Sequence, residues 1–316
     1  MHIESARSPL PSRIFMQLAG YTVACFAGSY MLAFVLVQPV FGIDALGNPY
    51  ALSQYQSDPG VLHALLFIQT IWALGTFCIP VFLVAKQLNE PFAQFTQMNR
   101  SGSLLFFISA PVVLLAVNPL LTYTVQLNEN MQLPEALYWL ENWMKGAEQS
   151  AAELTEAILY SEGTLMLAVK LLVIALIPGI CEELLFRAGL QQLLLRKTNR
   201  VHLAVWVSAA IFSAIHFQFY GFLPRMLLGG VLGYLMVYSG SLWPGIIFHF
   251  MNNATAVVIG HFHLDKSNVA LLSENYSYPW YATVLSILFT AATVVYWAKK
   301  KTTTNGTGLD QNIQHA

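Results

Sequence analysis

Apolar residues come in long runs along this chain, broken by short polar clusters. A helix needs ~20 mostly apolar residues to cross a bilayer. Eight stretches meet that need: residues 14–37, 61–85, 104–125, 164–195, 201–219, 223–238, 242–259 and 280–297. The pattern predicts an all-α fold, a polytopic membrane helix bundle of about eight transmembrane helices. The sixth and seventh runs are split only by Ser239-Gly240-Ser241, which leaves their ends the least sharply marked. The first run follows Arg7 and Arg13 as a signal peptide would. It is longer than the ~7–15 residues of a secretory apolar region and no A-x-A site closes it, so it is read as a retained helix.

Between the third and fourth runs, residues 126–163 are acidic. There Leu133, Leu137, Leu140, Met144, Ala147, Ala151 and Leu154 recur at helical spacing, with Trp139 and Trp143 nearby. This predicts one amphipathic helix on the outer membrane surface, its apolar face in lipid or against the bundle. The expected organisation is therefore an N-terminal three-helix region (1–125), this outer loop (126–163), a core (164–260), a second outer loop with the last helix (261–298) and a tail (299–316). The tail's polar residues, with Gly and Asn, predict a disordered end.

Composition and charge sharpen the picture. The chain is 56% hydrophobic and 10% charged, against about 25% charged residues in a soluble domain, so most of its solvent is lipid. A net charge of −1 without any basic tract speaks against a nucleic-acid partner. Cys25, Cys78 and Cys181 lie in apolar runs without CxxC spacing, which argues against a disulfide framework or a cysteine-built zinc site. With both termini inside, the cytoplasmic segments collect Arg7, Arg13, Lys86, Arg100, Arg196, Lys197, Arg200 and Lys299-Lys300-Lys301. The outer loops hold mainly Lys145 and Lys266, with Arg225 at a helix edge. That distribution predicts a multi-pass protein with both ends cytoplasmic, placed in a plasma (inner) membrane.

Three polar signatures interrupt the apolar runs of the core: Glu182-Glu183-Leu184-Leu185-Phe186-Arg187, Phe212 to His216, and His249 to Asn253. Ionisable groups at membrane depth cost ~2.5 kcal/mol or more each on insertion scales, so they persist where they line a polar site. Glu183 and Arg187, four apart with the acid first, are set for a helical ion pair. Glu182 projects about 100° away and lacks that partner, which suits a general acid or base. The competing reading makes all three one ion-pair network holding helices together. His216 and His249 alone read equally as core histidines bonded to backbone carbonyls. Depth brings the three groups together: at ~1.5 Å per residue, Glu182 lies ~20 Å above Arg196 and His216 ~24 Å above Arg200, while His249 lies ~12 Å above Ser241, level with them if that uncharged turn is itself sunk in the bundle. Asn253 follows His249 by four and shares its face, where an amide donor suits a developing oxyanion; an interhelical hydrogen bond is the alternative. Pro178-Gly179 predicts a kink ahead of the glutamate pair. Gly229 and Gly233 form a GxxxG step that packing alone explains. Lys170 is within snorkelling reach of the outer interface, and His261 and His263 read as a solvated loop rather than a metal contact.

The order EExxxR, FxxxH, HxxxN on consecutive apolar segments resembles the CPBP family, the type II CAAX-type prenyl endopeptidases and bacteriocin-processing relatives also called the Abi family. The resemblance covers roughly residues 165–259. It implies an eight-helix membrane endopeptidase with Glu182 and His216 activating water, His249 and Asn253 stabilising the oxyanion, Glu183 and Arg187 holding the site in shape, and Phe212 packed beneath it. Two mechanisms stay open: a His2Glu zinc site of Glu182, His216 and His249, or a metal-free Glu182 base. The expected partners are a membrane-associated protein or peptide substrate and the lipid bilayer. The rival class is a non-enzymatic membrane regulator binding a partner in the same cavity.

Overall fold

The computed structural model describes residues 12–48, 50–55, 58–264 and 276–300. Arg7, Lys266, Lys301 and the polar tail 302–316 lie outside the described residues. Among those described there are ten helices and no strand: α1 (Ser12–Phe41), α2 (Pro59–Gln87), the single turn α3 (Phe92–Phe95), α4 (Leu104–Glu129), α5 (Tyr138–Leu159), α6 (Thr164–Thr198), α7 (Val201–Ala214), α8 (Phe222–Ser239), α9 (Trp243–His261) and α10 (Trp280–Lys299). Six of them, α1, α2, α4, α6, α8 and α10, are long and apolar enough to cross a membrane. The chain is a multi-pass integral membrane protein.

Two of the eight expected spans come out differently. The fifth run gives α7, which stops at Ala214, five residues before the expected end at Phe219. Its 14 residues reach only about 21 Å, short of a ~30 Å hydrocarbon core. The seventh run does form a helix of nearly the expected length, α9, but it is not among the six. Its polar stripe of His249, Asn252 and Asn253 dilutes the apolar character that a span requires. The third run continues past Val125 to Glu129, which brings Asn128 onto the helix.

The sixth helix sits at the centre, touching α1, α2, α7, α8 and α9, while α4 packs on α8, α9 and α10. One apolar core joins Leu18, Phe77, Val81, Phe186, Phe212, Met236 and Ile246 from six of these helices. A second joins Phe106, Val113, Val205, Leu235, Phe248 and Trp297 on the other side. The glycines decide how closely the central helices approach. A Cβ on Gly229 would stand 3.2 Å from the Ala209 Cα, and one on Gly233 would stand 2.9 Å from a Val205 methyl. The GxxxG step is thus the seam between α8 and α7, as small-residue packing in membranes predicts.

The turn between α8 and α9 is built from its own hydroxyls. Gly240 adopts a left-handed φ of 65°, closing α8. Ser239 Oγ donates to the Ser241 carbonyl, and Ser241 Oγ donates to the Arg100 carbonyl at 2.6 Å. Both serines are buried.

The surface helix α5 presents Leu140, Met144, Ala147, Ala151 and Leu154 as a half-covered stripe, with Ile158 fully buried. That is the face its apolar spacing predicts. Leu133 and Leu137 fall ahead of the helix. Lys170 corrects an expectation. It is fully buried, and its ammonium donates to the carbonyls of Leu159 (2.5 Å) and Ser161 (2.8 Å) with His261 Nδ1 at 2.8 Å. Carbonyls at the end of a helix have no intrahelical donors, and a lysine offers three. Lys170 caps α5 instead of reaching the interface. His261 is tied into this cap and the His263 ring stacks on Tyr160, so neither is a solvated loop residue.

Candidate active site

The helix that carries Glu182 and Glu183 is interrupted by two π-helical turns, Leu171–Leu176 before the pair and Leu184–Gln191 after it. Such bulges gather at functional sites because they re-aim side chains without breaking the helix. The helix runs on past Pro178 to Thr198. Pro178 has no N–H for the carbonyl of Ile174, four residues earlier. Asn253 Nδ2 of α9 donates to that carbonyl at 3.2 Å. Asn252 Nδ2 in turn donates to Asn253 Oδ1 at 3.1 Å and sets the amide's orientation. One Asn253 N–H therefore serves the helix–helix contact, and an amide carries a second.

Glu183 is the hub of the charged groups. Arg187 Nη1 contacts Glu183 Oε1 at 3.0 Å, with both side chains buried, as the four-residue spacing predicts. The same Oε1 accepts a hydrogen bond from His249 Nδ1 at 3.0 Å. Sequence reasoning placed His249 with Glu182 and Asn253 and left Glu183 to Arg187 alone. The link across α6 and α9 was not visible because it depends on how close those helices come. Gly245 permits it, since a Cβ there would stand 3.1 Å from Glu183 Oε2. Gly179 permits it again one turn away, 3.2 Å from the Phe250 backbone nitrogen.

A carboxylate can only accept, so His249 Nδ1 carries the proton in this pair and Nε2 is turned outward. Nε2 lies 3.6 Å from Glu182 Oε2, too far for a direct hydrogen bond and close enough for one water to serve both groups. Glu182 is the more accessible of the two glutamates, at 12% against none for Glu183. Arg187 also reaches across to α8, where Nη2 approaches the Gly229 carbonyl at 3.4 Å, and Gln191 Nε2 donates to the Gly233 carbonyl at 3.0 Å.

His216 does not sit on a helix. It is the second residue beyond Ala214, in a turn, and the following Phe217 takes a left-handed φ of 53°. Its Nδ1 donates to the Phe212 carbonyl at 2.8 Å. That carbonyl lies in the last turn of α7, where helix carbonyls lack backbone donors. The four-residue spacing of Phe212 and His216 thus makes the ring a cap for its own helix and leaves Nε2 with a lone pair. Phe212 packs edge-to-face against both histidine rings, 5.1 Å from His216 and 5.9 Å from His249. The Arg187 guanidinium stacks over the same ring at 4.6 Å. One aromatic ring therefore touches both imidazoles and the arginine of the ion pair.

Zinc was one of the two mechanistic readings. Among the described residues no three His, Cys, Asp or Glu side chains are grouped so as to hold a metal ion. Glu182, His216 and His249 are not so grouped as they stand, and the Glu183 bond on Nδ1 leaves Nε2 of His249 free to face an oxyanion or a metal. Cys181, next to Glu182, faces α2, where its sulfur lies 3.1 Å from that of Cys78.

No curated protein and no solved structure matches the chain. One family model does, over residues 164–255, a stretch that contains the EExxxR, FxxxH and HxxxN motifs whole. That model is the one described as type II CAAX prenyl endopeptidase Rce1-like, and residues 164–255 are similar to it.

Proposed function

We propose that this protein is an intramembrane endopeptidase that hydrolyses a peptide bond in a membrane-associated protein or peptide. The observation that carries the reading is the Glu183–His249 pair, which holds an imidazole with Nε2 turned toward the more accessible Glu182 at 3.6 Å. A merely structural histidine would have no need of an orienting carboxylate on one nitrogen and a second carboxylate opposite the other.

In this reading Glu182 and the Nε2 lone pair of His216 hold the attacking water and take its proton as oxygen bonds to the scissile carbonyl carbon. His249 acts as the imidazolium: Nδ1–H stays on Glu183, which balances the charge, and Nε2–H donates to the oxyanion. Asn253 offers its second amide proton to the same oxygen. The proton collected by Glu182 then passes to the leaving amine nitrogen, giving a carboxylic acid and an amine. Arg187 pairs with Glu183 in its buried position, and Phe212 packs against both imidazoles. No step uses a metal. The catalytic core is taken as 164–260, with α7, extended by the irregular segment that follows it, and α9 completing eight crossings, both ends on the cytoplasmic side of the plasma (inner) membrane, and α5 on the outer surface.

The deciding experiment uses purified protein in lipid with a membrane-proximal peptide and reads cleavage by mass spectrometry. Glu182→Ala, His216→Ala and His249→Ala should each lower turnover by at least about 10²-fold. Chelators should leave the wild-type rate unchanged; loss restored by zinc would overturn the metal-free step. Full biological function of all three variants, where the wild type is required, would instead mark the protein as a non-enzymatic membrane regulator.

A further inference from the structure

The polypeptide between His216 and α8 is irregular, yet it lies against the bundle. Backbone at membrane depth needs its N–H and C=O groups satisfied by protein, because lipid cannot do it. Two carbonyls of this loop, Phe219 and Tyr220, are satisfied by one side chain on another helix. Asn128, 1% exposed near the end of α4, donates from Nδ2 to both, at 3.1 and 2.9 Å. The loop's remaining ties come from the surface helix, from α7 and from α8, whose Arg225 donates to the carbonyl and to the side-chain oxygen of Gln218. The Tyr220 N–H points to Glu148 Oε2 at 3.4 Å, the Trp143 ring lies 5.4 Å from that of Phe219, and Ser213 Oγ donates to the Phe222 carbonyl at 2.7 Å.

These ties bear directly on His216. The ring hangs from the last turn of α7, and the next residue, Phe217, holds a left-handed φ of 53° that a bulky side chain rarely adopts. Such strain persists only where the surroundings over-determine it, and it gathers at functional sites. Released from its far end, the loop would let Phe217 relax to a right-handed or extended backbone and would swing the imidazole with it.

We propose that Asn128 is a positioning residue for His216, acting through the Phe219–Tyr220 carbonyls to keep the imidazole at the water-activating position. The proposal rests on the protease reading for its kinetic consequence, but its structural half does not. Asn128 lies outside residues 164–255, so the site is completed by a helix that the matched domain does not contain.

The test compares Asn128→Leu, similar in size and without donors, with Asn130→Ala, whose amide bonds only the Gln126 carbonyl of its own helix. Displacing a reacting group by about 1 Å costs on the order of 10²-fold, so Asn128→Leu should lower kcat by at least about tenfold while KM changes less than about threefold. Asn130→Ala should match the wild type. The same samples, labelled with 15N-histidine, report the His216 ring directly: its signal should shift or broaden in Asn128→Leu while that of His249 stays in place. An unchanged His216 signal in folded Asn128→Leu overturns the proposal, whatever the activity. Should wild-type protein cleave nothing while Asn128→Leu still moves the His216 signal, the protease reading fails and the positioning role stands. Should Asn128→Leu fail to fold, Trp143→Ala with Glu148→Gln decides by approaching the same loop from α5. A lowered kcat with a moved His216 signal supports the proposal, and an unmoved signal overturns it.

Discussion

At the residue scale, the two adjacent glutamates are set apart by what surrounds them. Glu183 is buried among Arg187, His249 and the space left by Gly245, whereas Glu182 keeps some access and faces Nε2 of His249. Arg187→Ala should lower the amount of folded protein in the membrane, since breaking a buried pair costs ~3–5 kcal/mol. Glu182→Gln should leave that amount nearly unchanged and stop turnover. Equal misfolding of the two variants would show that the glutamates do not divide their work in this way. Asn253 allows a sharper test, because its amide serves the carbonyl that Pro178 cannot serve. Asn253→Ala should cost about 1–3 kcal/mol of stability for the unmet carbonyl. Pro178→Ala supplies a backbone N–H and should return much of that stability. Turnover should stay low in the double variant if the second amide proton meets the oxyanion. Recovery of turnover along with stability would reduce Asn253 to a helix–helix contact.

At the element scale, the surface helix α5 is fastened at both ends, by Lys170 at its C-terminus and by Glu141 near its start. Glu141 accepts hydrogen bonds from Lys145 Nζ at 2.7 Å and from the Leu133 N–H at 3.1 Å. The lysine bond, with the backbone bond second, holds its carboxyl below the usual glutamate range. A carboxylate favoured in the folded state stabilises above its unfolded pKa of ~4.3 and loses that contribution as pH falls through the lower folded value. Hydrogen exchange at the Leu133 amide should therefore quicken selectively as pH drops below about 4. Exchange that stays equally slow there would show that the Glu141 tie does not hold this segment. On α8, Gly233→Val should sharply reduce folded protein, because its first carbon would already stand 2.7 Å from Gln191 Oε1. Gly146→Ala on α5 meets nothing within 4 Å and should be tolerated or slightly stabilising, by up to about 1 kcal/mol. Thermal stability in detergent measures both.

At the scale of the whole molecule, reporter fusions after Lys301 and within residues 126–163 should fall on opposite sides of the membrane, as the positive charges require. Both on one side would overturn the crossing pattern. What could be read from the chain alone is whatever depends on periodicity or on fixed local spacing. The runs of about twenty apolar residues give long helices because lipid leaves the backbone no other partner. The stripe Leu140 to Leu154 predicts the covered face of α5, and Glu183 finds Arg187 because four residues return to the same side of a helix. The end of α7 at Ala214 was hidden, since Ile215, Phe217 and Phe219 continue the apolar pattern while the backbone leaves the helix. Tertiary structure alone decided which helices meet. The Glu183–His249 bond spans 66 residues and Asn128 to Phe219 spans 91, so no local spacing could announce either. Both depend on close helix approach, at Gly179 and Gly245 for the first and at the α4 end for the second, where a buried polar group must find its partner in protein because no water or lipid will supply one.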